Sequence, residues 1–133
     1  MDAAQALADL TEISSQVVHV AIVDSGGAVL ATTIGDPGRA ARFVQGVTTL
    51  LEEADALRQT RGLPNLTQLE AATPEGSVFV VRRGDRVIAA TTRPDPTVGL
   101  VFYDLKHCLR SIAEGGAETA PARRTRKKAG DAA

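Results

Sequence analysis

The sequence predicts a small α/β domain of the α+β kind: a five-stranded, mainly antiparallel sheet with three helices on its two faces. Two observations carry this expectation. Five short runs rich in Val, Ile, Ala and Thr are separated by turn residues, most often glycine. Three longer stretches repeat apolar residues at steps of three and four between capping residues and glycines. Hairpins and a meander pair antiparallel, and the three helical stripes then need the sheet's faces to be buried.

The elements follow in order. In DAAQALADLTEIS, Ala3, Ala6, Leu7, Leu10 and Ile13 recur at helical spacing, and Asp2 is placed to cap the first turn. VVHVAIV, from Val17 to Val23, and AVLATT, from Ala28 to Thr33, read as two strands joined at Asp24-Ser25-Gly26-Gly27. On that reading Val20 and Ile22 run up one face, and Val29 and Ala31 return.

The clearest helix comes next. Asp36 is its N-cap and Pro37 its first residue, and the stripe runs Ala40, Phe43, Val44, Val47, Leu50, Leu51, Ala54 and Leu57. Gly62 supplies a left-handed cap and Pro64 forbids continuation. At about 24 residues it would be roughly 36 Å long, enough to cover a whole sheet or to pair with another copy of itself.

NLTQLEAAT (Asn65 to Thr73), SVFVV (Ser77 to Val81) and VIAATT (Val87 to Thr92) form the meander. The consecutive apolar residues of VFVV predict cover on both faces. A last helix, capped by Asp95 or Thr97, carries Val98, Val101, Phe102, Leu105, Cys108, Leu109 and Ile112, and Gly115-Gly116 ends it. From Ala117 the chain has no apolar period, so residues 1–116 are expected to be the domain and 117–133 a disordered basic tail.

Charge divides the chain at the same point. The net charge of -1 conceals a body with ten basic and fourteen acidic side chains and a tail with five basic and two acidic ones. Aromatic residues are only 3% of the chain, which argues against a base-stacking nucleic-acid surface. No apolar run reaches the roughly 20 residues of a membrane span. One cysteine and no signal-peptide pattern lead us to expect a cytoplasmic protein.

Candidate chemistry is sparse. Asp24-Ser25-Gly26 has the form of an aspartic-protease loop, which needs two carboxylates sharing a proton in an almost all-β shell. A strand and a long amphipathic helix follow it here, so a hairpin turn is the preferred reading. Gly26 and Gly27 belong to neither a P-loop nor a dinucleotide motif. His107 and Cys108 are neighbours on a helix, about 100° apart, and cannot address one metal; Cys108 lies on the apolar stripe, and His107 and His19 stand alone. Glu52 and Glu53 read as solvated carboxylates. No catalytic constellation, cofactor or metal site is expected, and a binding or scaffolding module is favoured over an enzyme. Basic partner contacts are candidates at Arg82, Arg83 and Arg86 around a hairpin tip and at Arg123, Arg124, Arg126, Lys127 and Lys128 in the tail.

From Leu7 to Ile112 the chain resembles a Roadblock/LC7 domain. The resemblance rests on VVHVAIVDSGGAVLATT after a short helix, the long helix starting near Arg39, and GSVFVVRRGDRVIAATTRPDPTVGLVFYDLKHCLRSI. It implies a profilin-like sandwich with the long second helix on one face and the terminal helices on the other. It also implies homodimers in which second helices pair and third strands join edge to edge. Phe43, Val47, Leu50 and Leu51 on the helix, and Leu66, Thr67, Gln68 and Leu69 on the edge, are the interface residues expected on that basis. The function it implies is non-enzymatic regulation or scaffolding of a small Ras-like GTPase or another NTPase, in polarity, motility or signalling. The alternative is an autonomous profilin-like sensor or ligand-binding module that contacts its effector through the basic tail.

Overall fold

In the computed structural model, which describes residues 1–116, the order of elements is the one expected: α1 (Ala3–Ile13), β1 (Val17–Asp24), β2 (Val29–Thr32), α2 (Pro37–Gln59), β3 (Gln68–Thr73), β4 (Gly76–Arg83), β5 (Arg86–Thr92) and α3 (Val98–Gly116). The expectation of disorder for 117–133 lies outside the described residues.

The helices begin where their caps dictate. The carboxylates of Asp2 and Asp36 accept the amides of Gln5 and Arg39, at 2.8 and 3.0 Å, satisfying donors with no partner inside the helix. α2 closes with Gly62 in the left-handed region (φ 71°), while Leu63 donates its amide to Arg58. At the start of α3 the carbonyl of Thr97 accepts the amide of Val101, so Thr97 occupies the capping position, not Asp95.

All five strands form one sheet in the order β2-β1-β5-β4-β3, with every pair antiparallel. α2 leaves the edge strand β2 and delivers the chain to the opposite edge, β3. A helix of 23 residues, about 34 Å long, exceeds the roughly 19 Å that separate the two edge strands. Alternate side chains then fill two cores. Val20, Ile22, Phe79, Val81, Ile88 and Ala90 meet α1 and α3, while Ala21, Val23, Val80, Val87 and Ala89 meet α2. The consecutive run Phe79-Val80-Val81 is buried on both faces, as VFVV predicts.

The first core is the larger. Leu10, Val101, Leu105 and Leu109 are almost completely buried there, each contributing about 1.5–3 kcal/mol by leaving water. Phe79 and Phe102 meet edge to face with ring centroids 5.0 Å apart. On the other face the small side chains of Ala21 and Ala89 lie beneath Val44, Val47 and Leu51 of α2.

Three expectations need correction. β3 starts at Gln68 instead of Asn65, because the Leu66 amide bonds the carboxylate of Asp55 on α2 and the chain there is tied to the helix. β2 is only four residues long, Val29–Thr32. Val29 does not return to the core but is 44% exposed, because a bulge between Ile22 and Val23 shifts the register opposite it.

Candidate interaction surface

Apolar surface is left over on the outer side of α2, as it also is at Ile13, Leu100 and Tyr103. Val44, Val47 and Leu51 point to the sheet, but Phe43, Val47, Leu50, Ala54 and Leu57 also form a row with alternating steps of four and three. That spacing is the seam of a helix pair, in which apolar positions repeat every 3.5 residues. The seam opens toward its C-terminal end: Phe43 is half-buried, Leu50 is 37% exposed and Leu57 is 68% exposed. Gly46, between Phe43 and Leu50 on this side, has open space where a Cβ would stand, which leaves room for close backbone approach.

Beside the seam lies the edge of the sheet. Among the described residues β3 pairs only with β4, so its other side presents unpaired backbone groups to whatever approaches. Its start is fastened to α2. Asp55 accepts the Leu66 amide at 3.1 Å and binds Arg82 of β4 through both carboxylate oxygens, each 2.9 Å from the same guanidinium nitrogen. The seam and the edge therefore form one adjoining surface of a helix and a strand.

Solved structures share this fold. The Roadblock/LC7 domain from Streptomyces avermitilis superposes with a TM-score of 0.74 over 86% of this chain and 98% of its own length, at 14% identity. Gliding protein MglB from Thermus thermophilus gives 0.73 over 88% and 90%, at 16% identity. A structure of MglB in a tetrameric arrangement gives 0.74 over 87% and 88%, at 15% identity. The fold is that of a Roadblock/LC7 domain. No family model and no curated relative matches the chain.

Within this Roadblock/LC7 fold the expected interface residues separate. Val47 and Leu51, 6% and 8% exposed, pack on the chain's own sheet. Leu50 faces outward, Phe43, Leu66 and Leu69 are half-buried against the α2 core, and Thr67 and Gln68 are exposed. Leu57, which the resemblance did not single out as an interface residue, is the most exposed member of the seam. Its signal was in the sequence, seven residues beyond Leu50.

The hairpin-tip arginines separate too. Arg82 lies on the α2 side of β4 and is committed to Asp55, whereas Arg83 points to the other side and is exposed. Arg83 shares a shallow groove with Lys106 and Arg110 of α3. The tail bases Arg123, Arg124, Arg126, Lys127 and Lys128 lie outside the described residues.

The turn reading of Asp24 holds. Its carboxylate accepts the amides of Gly26 and Ala28 at 2.9 and 3.0 Å, and Gly27 takes a φ of 86°. Both bonds shape the bend. Cys108 is buried and directs its thiol at the Ala6 carbonyl, 3.5 Å away. Burial, followed by the nearby charge of Asp9, pushes that thiol up to about 11, so it is a poor nucleophile at neutral pH. Among the described residues no group of His, Cys, Asp and Glu could hold a metal, and no helix is long and apolar enough to cross a membrane.

Sequence reasoning missed Asp104. It sits three residues after Val101 and four before Cys108, beside the apolar stripe of α3, and is only 7% exposed. Desolvation raises its pKa above the ordinary carboxylate value, and the charge of His107 offsets this in part.

Proposed function

We propose that the chain is a non-enzymatic, homodimeric regulator or scaffold of a small Ras-like GTPase. The observation that carries this reading is the half-exposed seam from Phe43 to Leu57 beside the free edge of β3. Two copies related by a two-fold axis would cover both features at once, seam on seam and edge on edge, and so bury the apolar leucines and pair the strand.

A dimer built this way has a continuous sheet across two subunits and a broad helical platform. Such a platform suits a partner's switch segments, and regulation would then come from contacts that reposition the partner's own catalytic groups. Likeness to the MglB structures supports this class of role by fold analogy.

The test mixes the purified chain with a purified Ras-like GTPase, loaded with GDP or with a non-hydrolysable GTP analogue. Binding that favours one nucleotide state is expected, with no GTP turnover by the chain alone. Equal binding to both states, or none, would overturn the GTPase reading.

A further inference from the structure

α1 and α3 pack together over the first core and leave a cleft of about 240 Å³ between them. Asp104 lies in its wall, more than nine-tenths buried, and forms no hydrogen bond among the described residues. Asp9 and Glu12 of α1 line the same cleft, His107 of α3 lies beside Asp104, and among the described residues no lysine or arginine lines it. Leu10 and Ile13 give it an apolar side. Its carboxylate oxygens open onto the cleft without a protein donor, and burial of the side chain holds the Asp104 proton more tightly than usual. A guanidinium would supply the missing donors, and its aliphatic stem would lie against the leucine and isoleucine.

The chain carries its own candidate. Five bases stand between Arg123 and Lys128, beyond the end of α3. From Asp104 to Gly116 the helix rises about 18 Å. The seven residues from 117 to 123 can span at most about 24 Å when extended, so Arg123 and the bases after it can return to the cleft. Met1 and Ser111 also line the cleft.

We propose that the cleft between α1 and α3 is a docking site for the chain's own basic segment, Arg123 to Lys128, with Asp104 as the anchor and Asp9 and Glu12 beside it. A second acidic cleft lies beneath the β1–β2 and β4–β5 turns, but its carboxylates are less available. Asp24 there is committed to backbone amides and Asp55 to Arg82, leaving Glu52 and Asp85. The docked segment would cover the α1/α3 face, on the side of the sheet away from the α2 seam. This inference is independent of the GTPase reading.

Zero-length carbodiimide cross-linking tests it on a mixture of isotopically light and heavy full-length chains. Cross-links from Lys127 or Lys128 to Asp9 or Glu12, within a single chain, are expected. They should disappear at roughly 1 M salt, where screening shortens to about 3 Å, and drop several-fold in Asp104→Asn, although Asp104 is not the residue counted. Links to Glu52 or Asp85, links between light and heavy chains, or links indifferent to Asp104→Asn would overturn the proposal. A second variant leaves the body untouched: Arg123→Gln, Arg124→Gln and Arg126→Gln together should shift amide NMR signals at 9–13 and 104–111. Unmoved signals there would overturn it equally.

Discussion

Arg82 on β4 holds both carboxylate oxygens of Asp55 on α2 at 2.9 Å, and Asp55 also takes the amide of Leu66. One carboxylate thus fastens the second half of the long helix, the central meander and the approach to the edge strand. Asp55→Ala is expected to lower stability by about 1–2 kcal/mol, because it strands a partly buried guanidinium and an amide. The cost falls below the roughly 3–5 kcal/mol of a fully buried pair, since both side chains keep some contact with solvent. Urea denaturation measures it. An unchanged midpoint would mean that the pair does not hold the helix in place.

Gly76 opens β4 with a φ of 151°, and a Cβ there would run into the carbonyl oxygen of Thr92. The obstacle is backbone, which cannot rotate away as a side chain can. Gly76→Ala should therefore cost about 3 kcal/mol or more, through strain at that φ and displacement of the β5 end. A thermal melt reads this as a lowered midpoint. Gly84→Ala is the control: its φ of 60° is also left-handed, but nothing crowds its Cβ position, so it should cost less.

Much of this fold could be read in the letters. Asp36, Pro37 and Gly62 bound α2 by local chemistry, and the same residues perform those roles in three dimensions. VFVV announced a strand covered on both faces because burial on both sides suppresses alternation. What could not be read was set by tertiary contact. The start of β3 depends on Asp55, eleven residues upstream of Leu66, and Arg82 and Arg83 are adjacent letters whose side chains leave opposite faces of a strand. Asp104 hides at the margin of an apolar stripe, where a carboxylate ordinarily signals solvent; only the packing of α1 shows that it is covered.

The thiol of Cys108 makes a pH-dependent difference. Its folded pKa, about 11, stands above its ordinary value of 9.0, so between those values the unfolded chain releases a proton that the native chain retains. The contribution to stability is complete below about pH 9 and is lost as pH rises toward 11. Comparison with Cys108→Ala isolates the effect from other groups titrating in that range, and the difference between the two proteins should narrow there. The native thiol should also resist an aromatic disulfide reagent at pH 8 and react once the chain is unfolded.

The proposed pairing rests on leucines that the chain's own core leaves uncovered. Leu50→Asp with Leu57→Asp should preserve the monomer's fold, because both side chains are exposed, 37% and 68%. It should abolish association, because a charge on the seam would be buried against its counterpart.

Light scattering on the wild-type chain and on this double variant is the most direct measurement. The wild type is expected at twice the 13.9 kDa chain mass and the variant at the single-chain mass. A wild type that stays at 13.9 kDa at every concentration, or a variant that remains dimeric, would contradict pairing through the α2 seam.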